Sequence, residues 1–280
     1  MSKNLTVNDF NNGYLFRYRD FNTNTLKEII DNELWHSSVR ELNDPFESHF
    51  KMDDSFLLDK DEVLKAAYVF FGEKAKDKCI YDYFHNYEKL LRSVKKAYKS
   101  NSDMLENVFS KYLICCFSKQ YSEPLMWSHY ANGLRGLCIV YNKEKLNKTK
   151  ILKGNMVDVL YDTTPYISKI KDIKTKVVNN EIWIDLDKSD CKKCAFSKHS
   201  RWGYEEEVRT IIHFSDLDSR LNTSGYAVTV GYDPIEAIIY GEKISKTNLK
   251  ILDMICKNKG IKLFKASAKI KDFSVVVEEA

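Results

Sequence analysis

From residue 112 onward the chain consists mainly of short apolar runs rich in β-branched and aromatic residues, and this pattern limits the fold more than any other feature. These runs are too short for helices and are bounded by turn residues, which indicates strands. They are YLICCFS (112–118), GLCIVYN (136–142), MVDVLY (156–161), EVRTIIHF (207–214), YAVTV (226–230), IEAIIYG (235–241) and KLFKA (262–266). These runs are therefore expected to build a sheet.

The first 111 residues predict one strand-helix-strand unit followed by helices. The unit comprises YLFRYR (14–19), a helix over TNTLKEIIDNE, LWHSS (34–38) and the turn NDPFE (43–47). Residues 56–111 place apolar side chains at three- and four-residue spacing, as amphipathic helices do. The sequence thus predicts an α+β fold with a mixed or antiparallel sheet core, in one domain spanning 1–280 with a helical insertion at about 55–111.

Composition indicates an ordinary globular protein. The 280 residues are 44% hydrophobic and 30% charged, and the formal net charge is only +4. The seven cysteines are an odd number and are scattered, which suits a reducing cytoplasm. The start, MSKNLTVNDFNN, has no apolar segment typical of a signal peptide, and no run approaches the roughly 20 apolar residues of a membrane span. We expect a cytoplasmic protein without membrane association, and its oligomeric state stays open.

The segment RWGYEEEVRTIIHF (201–214) concentrates carboxylates in front of a β-branched run. If the segment is a strand, Glu205, Glu207 and Arg209 share one face, and Glu206 falls at the edge or towards solvent. The alternative is a helical start in which Glu205 and Arg209 form an i,i+4 pair worth roughly 0.3 kcal/mol. The β-branched residues favour the strand. We therefore expect Glu205 and Glu207, but not Glu206, to face a reaction site.

The segment MWSHYANG (126–133) places Trp127, His129 and Tyr130 within one helical turn. Such a turn could form the wall of a pocket for a flat ring. The alternative is that Trp127 and Tyr130 are core anchors and that His129 lies at the surface.

Two N-terminal segments contain further charged residues that could belong to the site. In NDPFE, turn formation accounts for Asn43 and Pro45, whereas the carboxylates of Asp44 and Glu47 could face the same cleft.

In YLFRYR, alternation puts Arg17 and Arg19 on the face of Leu15, and Tyr18 on the opposite face. Two arginines on one strand face need anions, which could be Glu205 and Glu207 or a ligand phosphate.

The motifs of common enzyme folds are absent. The sequence has no phosphate-binding G-x-x-x-x-G-K, no G-x-G-x-x-G, no G-x-S-x-G and no H-E-x-x-H. The C-x-x-C of CKKC (191–194) has no second pair at zinc-site spacing, so no metal is expected.

Four blocks of the chain together resemble a bacterial family, domain of unknown function 2971. They are YLFRYRDF, LWHSSVRELNDPFE, CCFSKQYSEPLMWSHYANGLRGLCIVYN and KHSRWGYEEEVRTI. The resemblance extends from about residue 14 to 245. It departs at Leu134, where the family usually has histidine, and at Arg17, where lysine is common. Membership does not fix a function, although genes of this kind often look like parts of bacterial antiviral defence or toxin systems.

The order of these segments is also similar to the layout of ADP-ribosyltransferases, which carry out a glycosyl transfer from NAD. That layout has a first strand with basic and aromatic residues, a second strand ending in serines, here Ser37 and Ser38, and a late strand entered by E-x-E. The resemblance implies that Glu207 stabilises the ribosyl cation and that Glu205 positions or deprotonates the acceptor. The residues that it implies for contacts with NAD are Arg17, Tyr18, Arg19, Ser37, Ser118, Trp127, His129, Tyr130 and Arg209.

The leading expectation is therefore an ADP-ribosyltransferase-like enzyme that consumes NAD as substrate and serves as a defence or toxin effector. Its partner would be NAD or a related nucleotide, and ADP-ribose would pass to a protein, a nucleic acid or water. One alternative is a nuclease in which Asp44, Glu47, Glu205 and Glu207 hold Mg²⁺. Another is a non-catalytic module that senses a nucleotide or a phage protein.

Overall fold

The computed structural model describes residues 5–46, 52–167, 174–178, 181–185, 196–213 and 224–280. Glu47 and the CKKC motif lie outside the described residues.

Helices and strands are labelled in chain order. The helices are α1 Thr23–Asp31, α2 Lys60–Phe71, α3 Lys76–His85, α4 Tyr87–Phe109, α5 Pro124–Tyr130, α6 Lys143–Lys148 and α7 Lys246–Lys259. The strands are β1 Tyr14–Arg19, β2 Glu33–Ser38, β3 Tyr112–Ser118, β4 Leu137–Asn142, β5 Met156–Asp158, β6 Leu160–Asp162, β7 Lys174–Val178, β8 Glu181–Asp185, β9 Ser197–His199, β10 Glu207–His213, β11 Gly225–Thr229, β12 Ile235–Gly241, β13 Lys262–Lys269 and β14 Ser274–Glu279. The predicted α+β class is confirmed.

The chain divides into two compact units. The first comprises residues 1–42, 112–159 and 200–280, and the second comprises 43–111 and 160–199. Helices α2, α3 and α4 occupy the segment where the sequence predicts a helical insertion, and they belong to the second unit together with β6 to β9.

The first unit contains a sheet that has ten strands among the described residues. Its main path runs β11-β2-β3-β1-β4-β12-β13-β14, and β10 and β5 branch from β3. All pairs in this sheet are antiparallel except β12 with β13, so the sheet is mixed, as predicted.

Strand β3 is the branch point of the sheet. Strand β10 pairs with it along its whole length, from Tyr112 to Ser118. Because that edge is occupied, β1 and β2 both use the opposite edge, β1 at Ser118 and β2 at Leu113 and Ile114. We call the gap between β1 and β2, alongside residues 115–117, the fork.

Both faces of the sheet are covered by apolar side chains, because its strands alternate between two cores. Leu15, Phe117 and Val208 belong to one core, and we call their side the Leu15 face. Phe16 and Tyr18 belong to the other core, on the Phe16 face. Residues directly opposite each other on paired strands share a face. Phe16 lies opposite Ser118 and Ser118 opposite Glu207, so Glu207 is on the Phe16 face.

The helix ends follow local capping chemistry. The side chain of Asn22 accepts a hydrogen bond from the backbone N–H of Thr25 at the start of α1. The side chain of Ser245 caps α7, which ends at Gly260 with φ of 67°, a left-handed conformation that glycine adopts easily. Within the part of the chain that the structure describes, no helix has the length and hydropathy of a membrane span.

Candidate functional site

The three glutamates in front of β10 lie in different environments. A 3₁₀ helix spans Ser200–Glu205, Glu206 takes a left-handed conformation with φ of 41°, and β10 begins at Glu207. Glu205 and Glu207 are only 3% and 5% exposed, whereas Glu206 is exposed. The exposure of Glu206 agrees with the prediction, but it results from a turn and not from strand alternation, because Glu205 precedes the strand.

Glu205 is held by both its side chain and its backbone. The hydroxyl of Tyr130 donates to Glu205 Oε1 at 2.7 Å. The hydroxyl of Ser118 donates to the backbone carbonyl of Glu205 at 2.6 Å and accepts from the N–H of Gln120 at 2.9 Å. Helix α5 thus holds the carboxylate of Glu205, and the end of β3 holds its backbone.

Glu207 forms a two-point ion pair with Arg209 on the same strand. Arg209 Nε donates to Glu207 Oε1 at 2.7 Å and Nη2 to Oε2 at 3.0 Å, and the arginine side chain has no exposed surface. Cys116 lies directly opposite Arg209 on β3. Burial and the Glu207 carboxylate raise the pKa of the Cys116 thiol well above its usual value, which keeps the thiol protonated.

Beside Glu205 lies a group of half-buried and exposed rings, which we call the aromatic shelf: His129, Tyr130, Trp202 and Tyr204. The ring centroids of His129 and Tyr204 are 6.3 Å apart with an interplanar angle of 33°, and those of Trp202 and Tyr204 are 6.0 Å apart at 40°. His129 is exposed and the other three are half-buried. The sequence reasoning missed Trp202 and Tyr204, although both stand directly before the carboxylates in RWGYEEE.

Trp127 does not belong to this shelf. It is 1% exposed, its indole N–H donates to the carbonyl of Tyr121 at 3.0 Å, and its ring meets that of Tyr18 edge-on at 5.3 Å. The prediction that Trp127 could stack on a ligand ring is corrected, because both ring faces are covered by the core. Tyr18 is also buried and donates its hydroxyl to the carbonyl of Gln120 at 2.8 Å.

The arginines of β1 meet a different anion from the one expected. Arg17 Nε lies 2.8 Å from Glu28 Oε1, and Arg19 Nε lies 3.3 Å from Glu28 Oε2. The hydroxyl of Tyr141 also donates to Glu28 Oε1 at 2.8 Å. The expectation that these arginines face Glu205 and Glu207 is wrong, since alternation puts them on the Leu15 face and Glu207 on the Phe16 face. Burial and the neighbouring Arg17 guanidinium lower the pKa of Arg19.

Arg17 also fills the fork. Its Nη1 donates to the carbonyl of Cys116 on β3 at 2.9 Å, and its Nη2 to the carbonyl of Trp35 on β2 at 3.5 Å. Because β1 and β2 separate at this point, no strand among the described residues pairs with this side of β3 and β2 to bond these carbonyls. The arginine replaces the missing ladder bonds, which is a structural role.

The remaining predicted residues are dispersed. Ser37 is half-buried and lies opposite Ile114 on β3, so it is on the Phe16 face. Ile114 precedes Ser118 by four residues, which separates Ser37 from Ser118 by about 13 Å along the strand. Asn43 and Asp44 belong to the second unit, where Asp44 accepts the N–H of Phe46 at 2.9 Å in an Asx turn. Among the described residues, no three His, Cys, Asp or Glu side chains are grouped so that they could hold a metal ion.

Residues 126–210 match the family model described as a protein of unknown function, DUF2971. The matched segment runs from α5 through most of β10, so it contains Tyr130, Glu205 and the Glu207–Arg209 pair, and it confirms the family resemblance there. Comparison with curated proteins found no match, and comparison with solved structures found none either.

Proposed function

We propose that this chain, which matches the DUF2971 family over residues 126–210, is an NAD-consuming enzyme of the ADP-ribosyltransferase kind. It would cleave the bond between nicotinamide and ribose and pass ADP-ribose to a macromolecule or to water. One observation carries the proposal: two buried carboxylates, Glu205 and Glu207, flank an exposed residue beside the half-exposed aromatic shelf.

The chemistry requires a fixed anion. Loss of nicotinamide passes through an oxocarbenium-like ribosyl cation, which a preorganised carboxylate stabilises more strongly in a water-poor site than in water. Arg209 fixes the orientation of the Glu207 carboxylate by binding both oxygens. A carboxylate has about four acceptor positions, so Glu207 can bind Arg209 and also accept from a ribose hydroxyl.

The other roles follow from what lies around Glu205. Tyr130 holds its carboxylate at 2.7 Å, in a position where Glu205 would orient or deprotonate an acceptor hydroxyl. The aromatic shelf takes the stacking role that the sequence assigned to Trp127, with His129 as its most exposed ring. Arg17 and Arg19 are left out of the site, because they pair with Glu28 on the opposite face of the sheet.

The test is the release of nicotinamide. The purified full chain is incubated with NAD, alone and with bacterial protein extract or nucleic acid, and free nicotinamide and transferred ADP-ribose are both followed. Wild-type protein and Glu206→Gln are expected to release nicotinamide at similar rates, whereas Glu207→Gln is expected to lose about 10²-fold or more. Folded wild-type protein that releases no nicotinamide with any of these acceptors would rule the proposal out.

Loss of activity in Glu207→Gln must be separated from loss of structure. The double variant Glu207→Gln with Arg209→Met removes both charges of the buried pair and is expected to fold better than the single variant. An inactive, folded double variant supports a chemical role for Glu207, and an active one removes it. A role as a defence or toxin effector rests on the resemblance and stays a prediction.

A second candidate is a non-catalytic module that senses a nucleotide. The observation in its favour is the complete burial of Arg209, because a neutralised Arg–Glu pair is also a structural element of a sheet. Thermal stabilisation by NAD without nicotinamide release would favour this reading. The nuclease alternative gains no support from the described residues, since they contain no group of metal ligands.

A further inference from the structure

Strand β14, Ser274–Glu279, ends the main path of the sheet. It pairs with β13 along one edge, and its other edge has no strand partner among the described residues. Natural edge strands are commonly shortened, bulged, or interrupted by proline or inward-facing charge, because an open row of N–H and C=O groups recruits further strands. The sequence SVVVEE has six residues, three consecutive valines and no proline.

Apolar side chains are exposed along this edge. Val275 and Val277 are buried in the core of the Phe16 face, but Val276 between them is 37% exposed. In the turn just before the strand, Ile270 is 84% exposed and Phe273 is 89% exposed. Three large apolar groups within seven residues form a surface that water solvates poorly.

The charges at the two ends of this segment have opposite signs, so two antiparallel copies of it would be complementary in charge. Lys269 and Lys271 precede the strand, and Glu278 and Glu279 end it. Lys269 pairs with Asp272 and Glu279 pairs with Lys262, whereas Lys271 and Glu278 make no ion pair within the described part of the chain. An antiparallel copy of the same strand would bring the lysine end of one chain to the glutamate end of the other. A parallel copy would bring like charges together.

We propose that β14 pairs in antiparallel fashion with β14 of a second copy of this chain, about a two-fold axis at Val276. In a register centred there, Val275 lies opposite Val277 of the other copy. Both valines point to the buried face of their own sheet, so the buried faces of the two sheets lie on the same side. Ser274 then lies opposite Glu278, and Val276 opposite its own counterpart. The sheets of the two copies join through backbone hydrogen bonds, and the interface is isologous.

The contact is small, which sets how the dimer behaves. Six residues of strand and a preceding turn fall at the low end of protein interfaces, below about 1,200 Å², where association is weak and depends on concentration. The monomer is therefore a folded species in its own right.

The test is the oligomeric state of the full chain, measured by sedimentation equilibrium over a wide concentration range. Wild-type protein is expected to form dimers at the upper end of the range. Val276→Lys places two ammonium groups opposite each other and is expected to raise the dimer Kd about tenfold or more. Val276→Thr, which keeps a β-branched side chain of similar size, is expected to dimerise like the wild type, and Met254→Lys on α7 is the matched charge control.

A charge swap tests the antiparallel direction. Ser274→Glu, which puts a glutamate opposite Glu278 of the other copy, is expected to weaken the dimer, and Glu278→Lys added to it is expected to restore much of the affinity. Wild-type protein that stays monomeric up to its solubility limit overturns the proposal and leaves the edge to an extended peptide of another protein. A dimer that Val276→Lys does not weaken overturns it as well, because the interface then lies elsewhere.

Discussion

Arg209 and Glu207 lie two residues apart on one face of β10, and the guanidinium binds both carboxylate oxygens, at 2.7 and 3.0 Å. Neither side chain has appreciable contact with solvent. In a strand, i and i+2 side chains point the same way, so this pair needs no long-range contact to form. It allows a carboxylate to be buried at the start of a central strand without leaving an isolated charge.

The pair leads to a prediction about stability. Glu207→Gln removes the negative charge that binds both Nε and Nη2 of a fully buried guanidinium and is expected to lower the free energy of unfolding by about 3–5 kcal/mol. Glu206→Gln, at an exposed position, is expected to change it by less than about 0.5 kcal/mol. Urea unfolding of the three proteins measures both values. Equal stability of the two variants would contradict the burial difference between these neighbouring glutamates.

A double-mutant cycle tests whether the two charges act as one unit. Arg209→Met and Glu207→Gln are each expected to destabilise the chain, but the double variant is expected to be more stable than the sum of the two losses implies, by about 0.5–3 kcal/mol. Denaturant unfolding of the four proteins gives the coupling energy. Strict additivity would mean that the ion pair contributes nothing beyond its separate parts.

Arg17→Lys tests the role of the fork. Lysine keeps the positive charge for Glu28 but cannot also reach the carbonyls of Cys116 and Trp35, because it lacks the planar, forked donor group. An unsatisfied buried carbonyl costs about 1–3 kcal/mol, which is the expected loss in the free energy of unfolding. Lys89→Arg on α4, where the largely exposed lysine pairs with Asp82, serves as the control and is expected to be nearly silent. Unchanged stability of Arg17→Lys would show that charge alone is required.

His36 predicts a pH dependence. Burial lowers its pKa from 6.5 to about 3, and the ring lies between the carbonyl of Leu34 and the hydroxyl of Thr210. Because a carbonyl can only accept, Nδ1 carries the proton and Nε2 accepts from Thr210. The unfolded chain takes up a proton below pH 6.5 and the folded chain does not until about 3. The contribution of His36 to the free energy of unfolding is therefore complete above pH 6.5. As the pH falls from 6.5 to about 3, this contribution decreases by up to about 1.4 kcal/mol per pH unit.

Urea unfolding at a series of pH values, for wild-type protein and His36→Gln, isolates this contribution from that of the carboxylates. The difference in stability between the two proteins is expected to shrink as the pH falls from 6.5 towards 3 and to be constant above 6.5. A difference that does not vary with pH would mean that His36 takes up its proton over the same pH range in the folded and in the unfolded protein.

Two aromatic variants separate the core from the aromatic shelf. Trp127→Phe loses the indole hydrogen bond to Tyr121 and is expected to lower stability by about 1–3 kcal/mol, with the KM for NAD unchanged. His129→Ala is expected to do the reverse. An exposed side chain contributes little to folding, and under the proposed function its loss removes stacking on the nicotinamide ring. Nicotinamide release and unfolding are measured on both. A raised KM in Trp127→Phe alone would return the stacking role to Trp127.

Several strands of the first unit and their faces could be predicted from the sequence, because strand periodicity is local. Strands β7, β8, β9 and β14 were not predicted, and MVDVLY (156–161) was predicted as one strand where the structure has β5 and β6. Alternation correctly put Arg17 on the face of Leu15, and β-branched residues correctly placed a strand at 207–213. The partner of Arg17 could not be predicted, because Glu28 is buried only through the way α1 packs on the sheet. The 3₁₀ helix at 200–205 was not predicted, since a 3₁₀ helix has little periodicity of its own, and for this reason its aromatic residues were given no role.

The branching of the sheet at β3 also affects folding, because the strands around β3 can pair only after distant segments of the chain have met. The hydrogen bond from Arg17 to Cys116 closes a separation of 99 residues, and that from Ser118 to Glu205 closes one of 87. The segments that meet at β3 are far apart in the sequence. Because the chain loses entropy when it brings them together before it gains their contacts, folding is expected to be slow for a chain of this size. During synthesis β1 and β2 leave the ribosome long before the strand that joins them. A nascent chain therefore exposes unpaired strand edges that favour aggregation, and the edge of β2 that pairs with β11 stays open until residue 229 has emerged.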